Sequence, residues 1–449
     1  MHHLASNPLP HRALRDLAQK HGPAIMHLQL GQVQTIVVSS AQIAEAILKT
    51  HDVNFAQRPP VHSANILAYG CTDIVFAPYG DYWRQLRRIC TIELFSAKMI
   101  KSFGSIREDE VSKLVAAVSA ASSSAAGVDL TAMFCKLTYS ILSRAAFGEV
   151  RESSSSSEAF LPLIDEITRV ASGFNIADLY PSFKFLQVLT GVASKLNVLH
   201  EKADKVLESI IADHRARIGH MRRPGEEAEE ETAADLLDVL LKHHEGEGNM
   251  GFSLTTDNIK AVLVDLFFAG TETTATSLDW IMSELVKNPR VMQKTQSEKM
   301  VIRESMRLHP PVAVLLPRTG AEDCEIGGYH IPAGSSIMVN AWAIGRNPEY
   351  WTDAETFWPE RFLESSVDYK GAHFQLLPFG AGRRICPGMS FALANLELPL
   401  ARLLYYFDWK LPDGQENECV DMTETFGATV KRKNKLFLIP TVASSPDGN

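Results

Sequence analysis

The stretch Pro378-Phe379-Gly380-Ala381-Gly382-Arg383-Arg384-Ile385-Cys386-Pro387-Gly388 carries the densest chemistry in this 449-residue chain. Gly380, Gly382 and Gly388 let the backbone take unusual angles and approach a flat ligand closely, while Arg384 offers a charge for a carboxylate. A helical pattern from about Ser390 points its positive end back at Cys386, a setting that lowers a thiol pKa from about 8.5 and favours the metal-binding thiolate. Most lone cysteines are plain buried residues, and that is the expectation for Cys71, Cys90, Cys135, Cys324 and Cys419. A second segment, Ala269-Gly270-Thr271-Glu272-Thr273-Thr274, sits inside a long helical pattern. Glycine there costs roughly 1 kcal/mol against alanine. A mid-helix threonine often bonds back to the i−4 carbonyl and bends the helix. The segment therefore predicts a locally opened helix with an acid and a hydroxyl side by side, able to hold oxygen and water. Each of these residues taken singly is also an ordinary helix residue.

Three further spacings gain meaning together. Glu304 and Arg307 lie at i and i+3 and share a helix face, as do Trp83 and Arg87 at i and i+4. Alone, such pairs are common on solvated helices. Phe357-Trp358-Pro359-Glu360-Arg361-Phe362 follows the first pair by some fifty residues.

A helix spans about His11 to Lys20, then strands Ala24 to Leu30 and Thr35 to Ser39 flank Gly31. Apolar side chains recur every three or four positions over 41–51, 82–94, 98–120, 130–147 and 196–219, which predicts helices. Residues 122–127, 153–157 and 222–232 are Ser/Ala-rich or acidic and read as solvated loops. A long helix covers about 256–287, a second ends near Leu308, strands are expected at 326–331 and 336–343, and a helix at 390–406 precedes a strand at 435–439. With no repeat or linker, the whole chain reads as one helix-dominated, mainly α (α+β) domain.

Bulk properties set limits. The 53 acidic against 44 basic side chains give a net charge of −9, which argues against nucleic acid as a partner. The six cysteines form no CxxC pair, so neither a disulfide framework nor a zinc module is suggested. The longest apolar run, about Ala261 to Ala269, is interrupted by Asp265 and falls short of the roughly 20 residues that span a bilayer. Hydrolase and nucleotide-binding signatures such as GxSxG, P-loop or HExxH are missing.

The loop around Cys386 matches F-x-x-G-x-R-x-C-x-G and resembles the haem-binding loop of cytochromes P450, of the plant microsomal type. The resemblance implies that the cysteine supplies the axial thiolate to the iron of haem b. It adds Phe379, Gly380, Gly382, Arg384 and Gly388 as the cofactor cradle. Glu304-Ser305-Met306-Arg307 looks like the family's ExxR motif and the Phe357–Phe362 stretch like its PERF segment, which makes Glu304, Arg307 and Arg361 a structural triad. Trp83 and Arg87 match a WxxxR element that reaches the propionates, and Arg318 a further propionate contact. Ala269–Thr274 is similar to (A/G)Gx(D/E)T, which gives Glu272 and Thr273 the catalytic role of delivering protons during oxygen activation.

The same resemblance implies a fold of helices and small sheets around a buried haem. The expected activity is monooxygenation of a small hydrophobic molecule, a terpenoid or other plant secondary metabolite, with O2 and with electrons from NADPH through cytochrome P450 reductase. Within the basic cluster Arg84, Arg87 and Arg88, the residues not used by the propionates, Arg84 or Arg88, would steer that reductase. Pocket residues implied are Ile74, Phe76, Phe267, Phe268, Ala269, Val312, Val314, Leu315, Phe426 and Ala428. Localisation would be the endoplasmic reticulum membrane, although the N-terminal anchor and Pro-rich hinge of microsomal members are missing here. The interval between Asn288-Pro289 and Glu304 is shorter than the family's, with 294–298 as the junction of an apparent deletion. That departure keeps open a haem-binding but catalytically impaired, truncated member. A peroxide-rearranging member is disfavoured by the acid–threonine pair.

Overall fold

The computed structural model describes residues 7–122, 127–148, 155–171, 176–183, 191–221, 234–244, 253–294 and 298–443. Helix α1 (Asp81–Ile89) leaves an extended Gly80 with Asp81 in its first turn and Arg87 and Arg88 in its last, the charge order that complements a helix dipole. Helix α2 (Thr256–Lys287) runs for 32 residues. Its start is fixed by a reciprocal cap in which Thr255 N donates to Asn258 Oδ1 (3.0 Å) and Asn258 N donates to Thr255 Oγ1 (3.2 Å). It stops where Pro289 disfavours helix at Asn288, whose amide caps the Glu284 carbonyl at 2.9 Å. Helices α3 (Glu298–Leu308) and α4 (Met389–Tyr406) carry or follow the remaining motifs.

The main sheet joins β1 (Ile25–Leu30) and β2 (Val33–Val38), antiparallel around Gly31 at φ 63°, to β4 (Ser336–Val339), which runs parallel to β2, and β3 (Arg318–Thr319) at the far edge. Ile36 pairs with Ile337, and Ile337 with Arg318. A separate hairpin pairs β5 (Glu424–Phe426) with β6 (Val430–Arg432).

The chain groups into two compact units. One comprises Met1–Pro59, Glu108–Leu137 and Glu272–Asn449 and contains the sheet; the other comprises Pro60–Arg107 and Thr138–Thr271. In the first, Ile36, Val38, Ile337 and Val339 pack with Ile47, Leu48, Phe55, Leu377 and Ala381. Apolar burial thus ties the sheet to the chain just ahead of Cys386. In the second, Phe267 of α2 is fully buried, with Phe147 stacked at 5.2 Å, Phe160 edge-on at 5.1 Å and Tyr139 at 5.7 Å between centroids.

Several boundaries differ from the sequence reading. The strand expected over 336–343 stops at Val339, because Asn340 caps a short helix, Ala341–Ile344, by accepting from Ala343 N at 3.0 Å. Residues 41–51 and 82–94 each end in a π-helical turn, and 98–120 breaks at Phe103 into two helices. Of the loop expected at 153–157, the part from Ser155 opens a helix that runs to Ala171. The helix Leu236–His244 and the β5–β6 hairpin have no counterpart in that reading. Loop 222–232 and residues 295–297 of the expected junction lie outside the described residues.

Candidate functional site

Cys386 carries a half-buried thiol outside any disulfide. Its loop is closed by backbone bonds: Cys386 N donates to Phe379 O, Gly380 N to Leu377 O and Ile385 N to Gly382 O, each at 3.0 Å. Gly380 and Gly382 both hold φ +69°, the left-handed region in which other side chains are strained. A Cβ on Gly382 would also lie 2.0 Å from Leu48 O, whereas one on Gly380 would meet nothing nearer than Leu315 Cδ1 at 3.8 Å. Crowding requires the first glycine; at the second, a Cβ would meet only an ordinary contact. Gly388 is the N-cap of α4, so the helix's unpaired N–H groups begin three residues past the sulfur.

Two buried guanidiniums belong to the same unit. Arg384 donates Nε to Ala56 O at 2.9 Å. Arg318, set by β3, donates to Asp52 Oδ1 at 2.9 Å and to Ala381 O at 2.6 Å. Asp52 in turn receives the backbone N–H of Arg383 at 2.9 Å and its guanidinium at 3.0 Å. Burial pulls the Arg318 pKa below its ordinary value and Asp52 opposes that shift; arginine starts high enough to remain charged.

Glu304, Arg307 and Arg361 are brought together. Arg307 grips Glu304 with two parallel bonds of 2.8 Å, and Arg361 Nε adds a third at 3.0 Å. Trp358 N donates to the same carboxylate at 2.8 Å. The rest of the Arg307 fork goes to the carbonyls of Gly345, Ala354 and Thr356. With Glu304 at 0% and Arg307 at 1% exposure, so buried a pair persists only because nearly every lone pair and proton is matched.

Along α2, residues 258–267 and 274–286 are buried without exception. Between them Phe268, Gly270, Glu272 and Thr273 are half-exposed and Ala269 is exposed. The one accessible window in this stretch coincides with the Ala269–Thr274 motif. The expected local opening of the helix is not there: α2 is regular α-helix throughout. Gly270 serves close packing instead, since a Cβ would come within 3.1 Å of Leu142 Cδ2, and Ser277 Oγ satisfies the Thr273 carbonyl at 2.9 Å without displacing the helical ladder. Glu272 accepts from Thr429 Oγ1 at 2.8 Å and faces Lys431 Nζ at 3.5 Å, both from the hairpin, and Thr429 Oγ1 lies 3.4 Å from Thr276 Oγ1.

In the other unit, Trp83 is buried and donates its indole N–H to Ile74 O at 2.9 Å, with the Arg87 guanidinium over its ring at 6.0 Å. Arg84 pairs with Asp81. Ile74 is buried and Phe76 half-buried. Val312, Val314, Leu315, Phe426 and Ala428 are all half-buried; Val314 packs toward Leu14 and Met26, and Phe426 toward Trp342.

A family model described as Cytochrome P450 matches residues 1–439. The chain belongs to the cytochrome P450 family. Desmethyl-deoxy-podophyllotoxin synthase of Sinopodophyllum hexandrum is 49% identical over 98% of this chain and 89% of its own length. Premnaspirodiene oxygenase of Hyoscyamus muticus is 47% identical over 96% and 88%. A solved zebrafish cytochrome P450, determined with progesterone, has a TM-score of 0.79 at 25% identity, covering 97% of this chain and 100% of that one. This P450 is a monooxygenase-type oxidoreductase with haem b as cofactor and O2, an organic substrate and a redox partner as its reactants.

The residues of this P450 fit that cofactor. A thiol outside any disulfide stands on a loop where a Cβ at Gly380 would meet only an ordinary contact, and two buried guanidiniums suited to propionates belong to the same unit. Sequence reasoning missed Asp52, which holds Arg318 and Arg383, and the Thr429 and Lys431 partners of Glu272. Those pairings span from 157 to 331 residues and leave no local pattern. It also read Asp265 only as an interruption of an apolar run, although a lone acid in such a run is itself the signature of a paired buried group.

Proposed function

We propose that this P450 oxygenates a small apolar olefin or polycyclic molecule of the terpenoid class, with electrons from NADPH delivered by cytochrome P450 reductase at the endoplasmic reticulum membrane. The observation that carries the reading is the accessible window of α2, in which an acid, a hydroxyl and the aromatic Phe268 are half-exposed within an otherwise buried stretch of helix. The relatives support the substrate class, since the name premnaspirodiene denotes an apolar olefin. Haem b, when bound, supplies the activation of dioxygen. In this reading Cys386 holds the cofactor from the loop, and Arg384, Arg318, Trp83 and Arg87 orient its propionates, with Phe379, Gly380, Gly382 and Gly388 shaping the cradle. Glu304, Arg307 and Arg361 hold the chain beneath it. Ile74, Phe76, Phe268, Ala269, Val312, Val314, Leu315, Phe426 and Ala428 surround the substrate, while Phe267 contributes from the core. Thr273 and Glu272 pass protons to the reacting oxygen, and Thr429 and Lys431 hold the Glu272 carboxylate in place.

The test is product formed per NADPH consumed under a shared reductase. Positioned proton transfer contributes about 10²- to 10⁴-fold, so Thr273→Ala and Glu272→Gln should keep haem content while product falls by that order, with peroxide released by Thr273→Ala. Unchanged coupling in both variants would leave this segment a structural one.

A second reading, an impaired truncated member, is favoured by one observation. The alignment with the Sinopodophyllum enzyme runs over 464 positions against 449 residues here, so at least 15 residues of that relative (464 − 449) have no counterpart. If they fall at 294–298, restoring a family-like segment there should raise the thermal midpoint and haem occupancy; equal values for both chains would dismiss the deletion as a cause of weakness.

A further inference from the structure

Within the unit formed by Pro60–Arg107 and Thr138–Thr271, two acids meet in the protein interior. Asp265 of α2 accepts from Ile74 N at 3.0 Å and from Val75 N at 3.2 Å through the same oxygen, Oδ2. Asp73 accepts from Phe76 N through both of its oxygens at 3.1 Å. The two carboxyl groups thus converge on the amides of three consecutive residues, Ile74, Val75 and Phe76, and Asp265 and Asp73 are 8% and 0% exposed. Two like charges converging on one desolvated turn cannot both persist, and a proton on one carboxyl lets it donate to the other. We infer that Asp73 and Asp265 share one proton, and that this proton latches the 73–76 segment onto α2 four residues before Ala269. Asp265 is then a positioning residue for the pocket: it holds the backbone amides of Ile74 and Val75, and through them the side chains of Ile74 and Phe76. The consequence for substrate rests on the pocket reading above; the latch itself does not.

Burial, with Asp73 next, pushes the Asp265 pKa well above the ordinary carboxylate range, and the amides of Val75 and Ile74 oppose this only in part. The titratable groups that sense the pair are Cys71 on the same segment, Tyr82 of α1, and Cys90 in the turn after it. Burial raises Cys71 to about 11, and Tyr82 and Cys90 to about 12. None of the three is charged near neutrality, so none offsets a second negative charge or titrates in its place. The Arg87 guanidinium bears on Cys90 and lies over Trp83. On the far side of the segment, Lys260 of α2 is spent on Asp204 at 2.8 Å and Glu208 at 2.5 Å, and Asp204 also receives the Tyr69 hydroxyl at 2.8 Å.

The sign of the pH effect follows. A carboxyl whose folded pKa is raised contributes fully below its unfolded pKa, and the contribution is lost as pH rises toward the folded value. The latch should therefore hold in neutral and acid solution and open on the alkaline side with the loss of one proton. Asp265→Asn and Asp73→Asn each replace the shared proton by an amide N–H donating to the surviving carboxylate. Both should keep the segment latched and remove its pH dependence.

The experiment uses the haem-loaded full chain, without substrate. Infrared difference spectroscopy across a pH titration should show the carbonyl stretch of a protonated carboxylic acid disappearing on the alkaline side, and both Asn variants should lack it. Amide hydrogen exchange, corrected for its intrinsic pH dependence, should show protection of Ile74–Phe76 falling at least tenfold through the same titration in wild type, but constant protection in both Asn variants. Asp265→Leu should lose the protection at every pH. A wild type without the carboxylic acid band at neutral pH, or Asn variants that lose protection with pH as wild type does, would overturn the shared proton. Because neither readout involves a substrate, they stand or fall separately from the pocket reading, which the coupling measurement tests.

Discussion

Two buried carboxylates of this P450 show opposite solutions to the same cost. Glu304 sits at 0% exposure with two arginines and a backbone amide around it, whereas Asp265, also buried, faces another acid. Charge removed from water must be met either by opposite charge or by a proton. The first solution fixes geometry through four converging hydrogen bonds. The second can be released, which suits a segment beside an accessible stretch of helix. The region expected to hold the cofactor is built from permanent pairs, including Arg318 and Arg383 on Asp52.

That contrast can be broken at its strong end. Glu304→Ala leaves two buried guanidiniums uncompensated, a change that costs about 3 to 5 kcal/mol in comparable sites out of a margin of about 5 to 15. The expected result is a chain that gives little soluble haem protein. A variant with wild-type haem occupancy and thermal midpoint would show that the triad is dispensable.

Asp279 lies between the two extremes and sharpens the comparison. It is buried, receives Thr131 Oγ1 at 2.7 Å, and has Arg432 only at 3.8 Å. Burial raises its pKa from 3.8 to about 6, with Arg432 and Thr131 opposing. Because the folded value is the higher, Asp279 destabilises the fold progressively as pH rises from near 4 to about 6, and by a constant amount above that. Asp279→Asn should therefore be more stable than wild type above pH 6, by up to about 2 to 3 kcal/mol for a shift of roughly two pKa units. The difference should vanish toward pH 4. Thermal midpoints across that range check it, and a variant less stable at neutral pH would mean that Arg432 compensates the charge.

How much of this was legible in the sequence depended on range. The Cys386 loop, the ExxR pair and the acid–threonine pair are local patterns, and the long helices α2 and α4 declared themselves by periodicity to within a residue of their ends. The partners that complete each charge were not legible, because Asp52, Thr429 and Asp73 come from segments 150 residues or more away from the groups they meet. The expected opening of α2 failed for a related reason: Gly270 is explained by the Leu142 side chain pressing on it, a contact that no window of sequence displays. Serine-rich 155–157 was read as loop on composition alone, whereas it begins the helix Ser155–Ala171.

The assignment of Cys386 as the thiolate that holds the haem is the claim on which the functional account rests, and the reduced carbon-monoxide difference spectrum tests it most directly. Purified wild type and Cys324→Ala should both show the thiolate-type band. Cys386→Ala should lose it, even where some haem is retained. A thiolate spectrum that survives in Cys386→Ala, or that disappears in Cys324→Ala alone, would contradict the assignment.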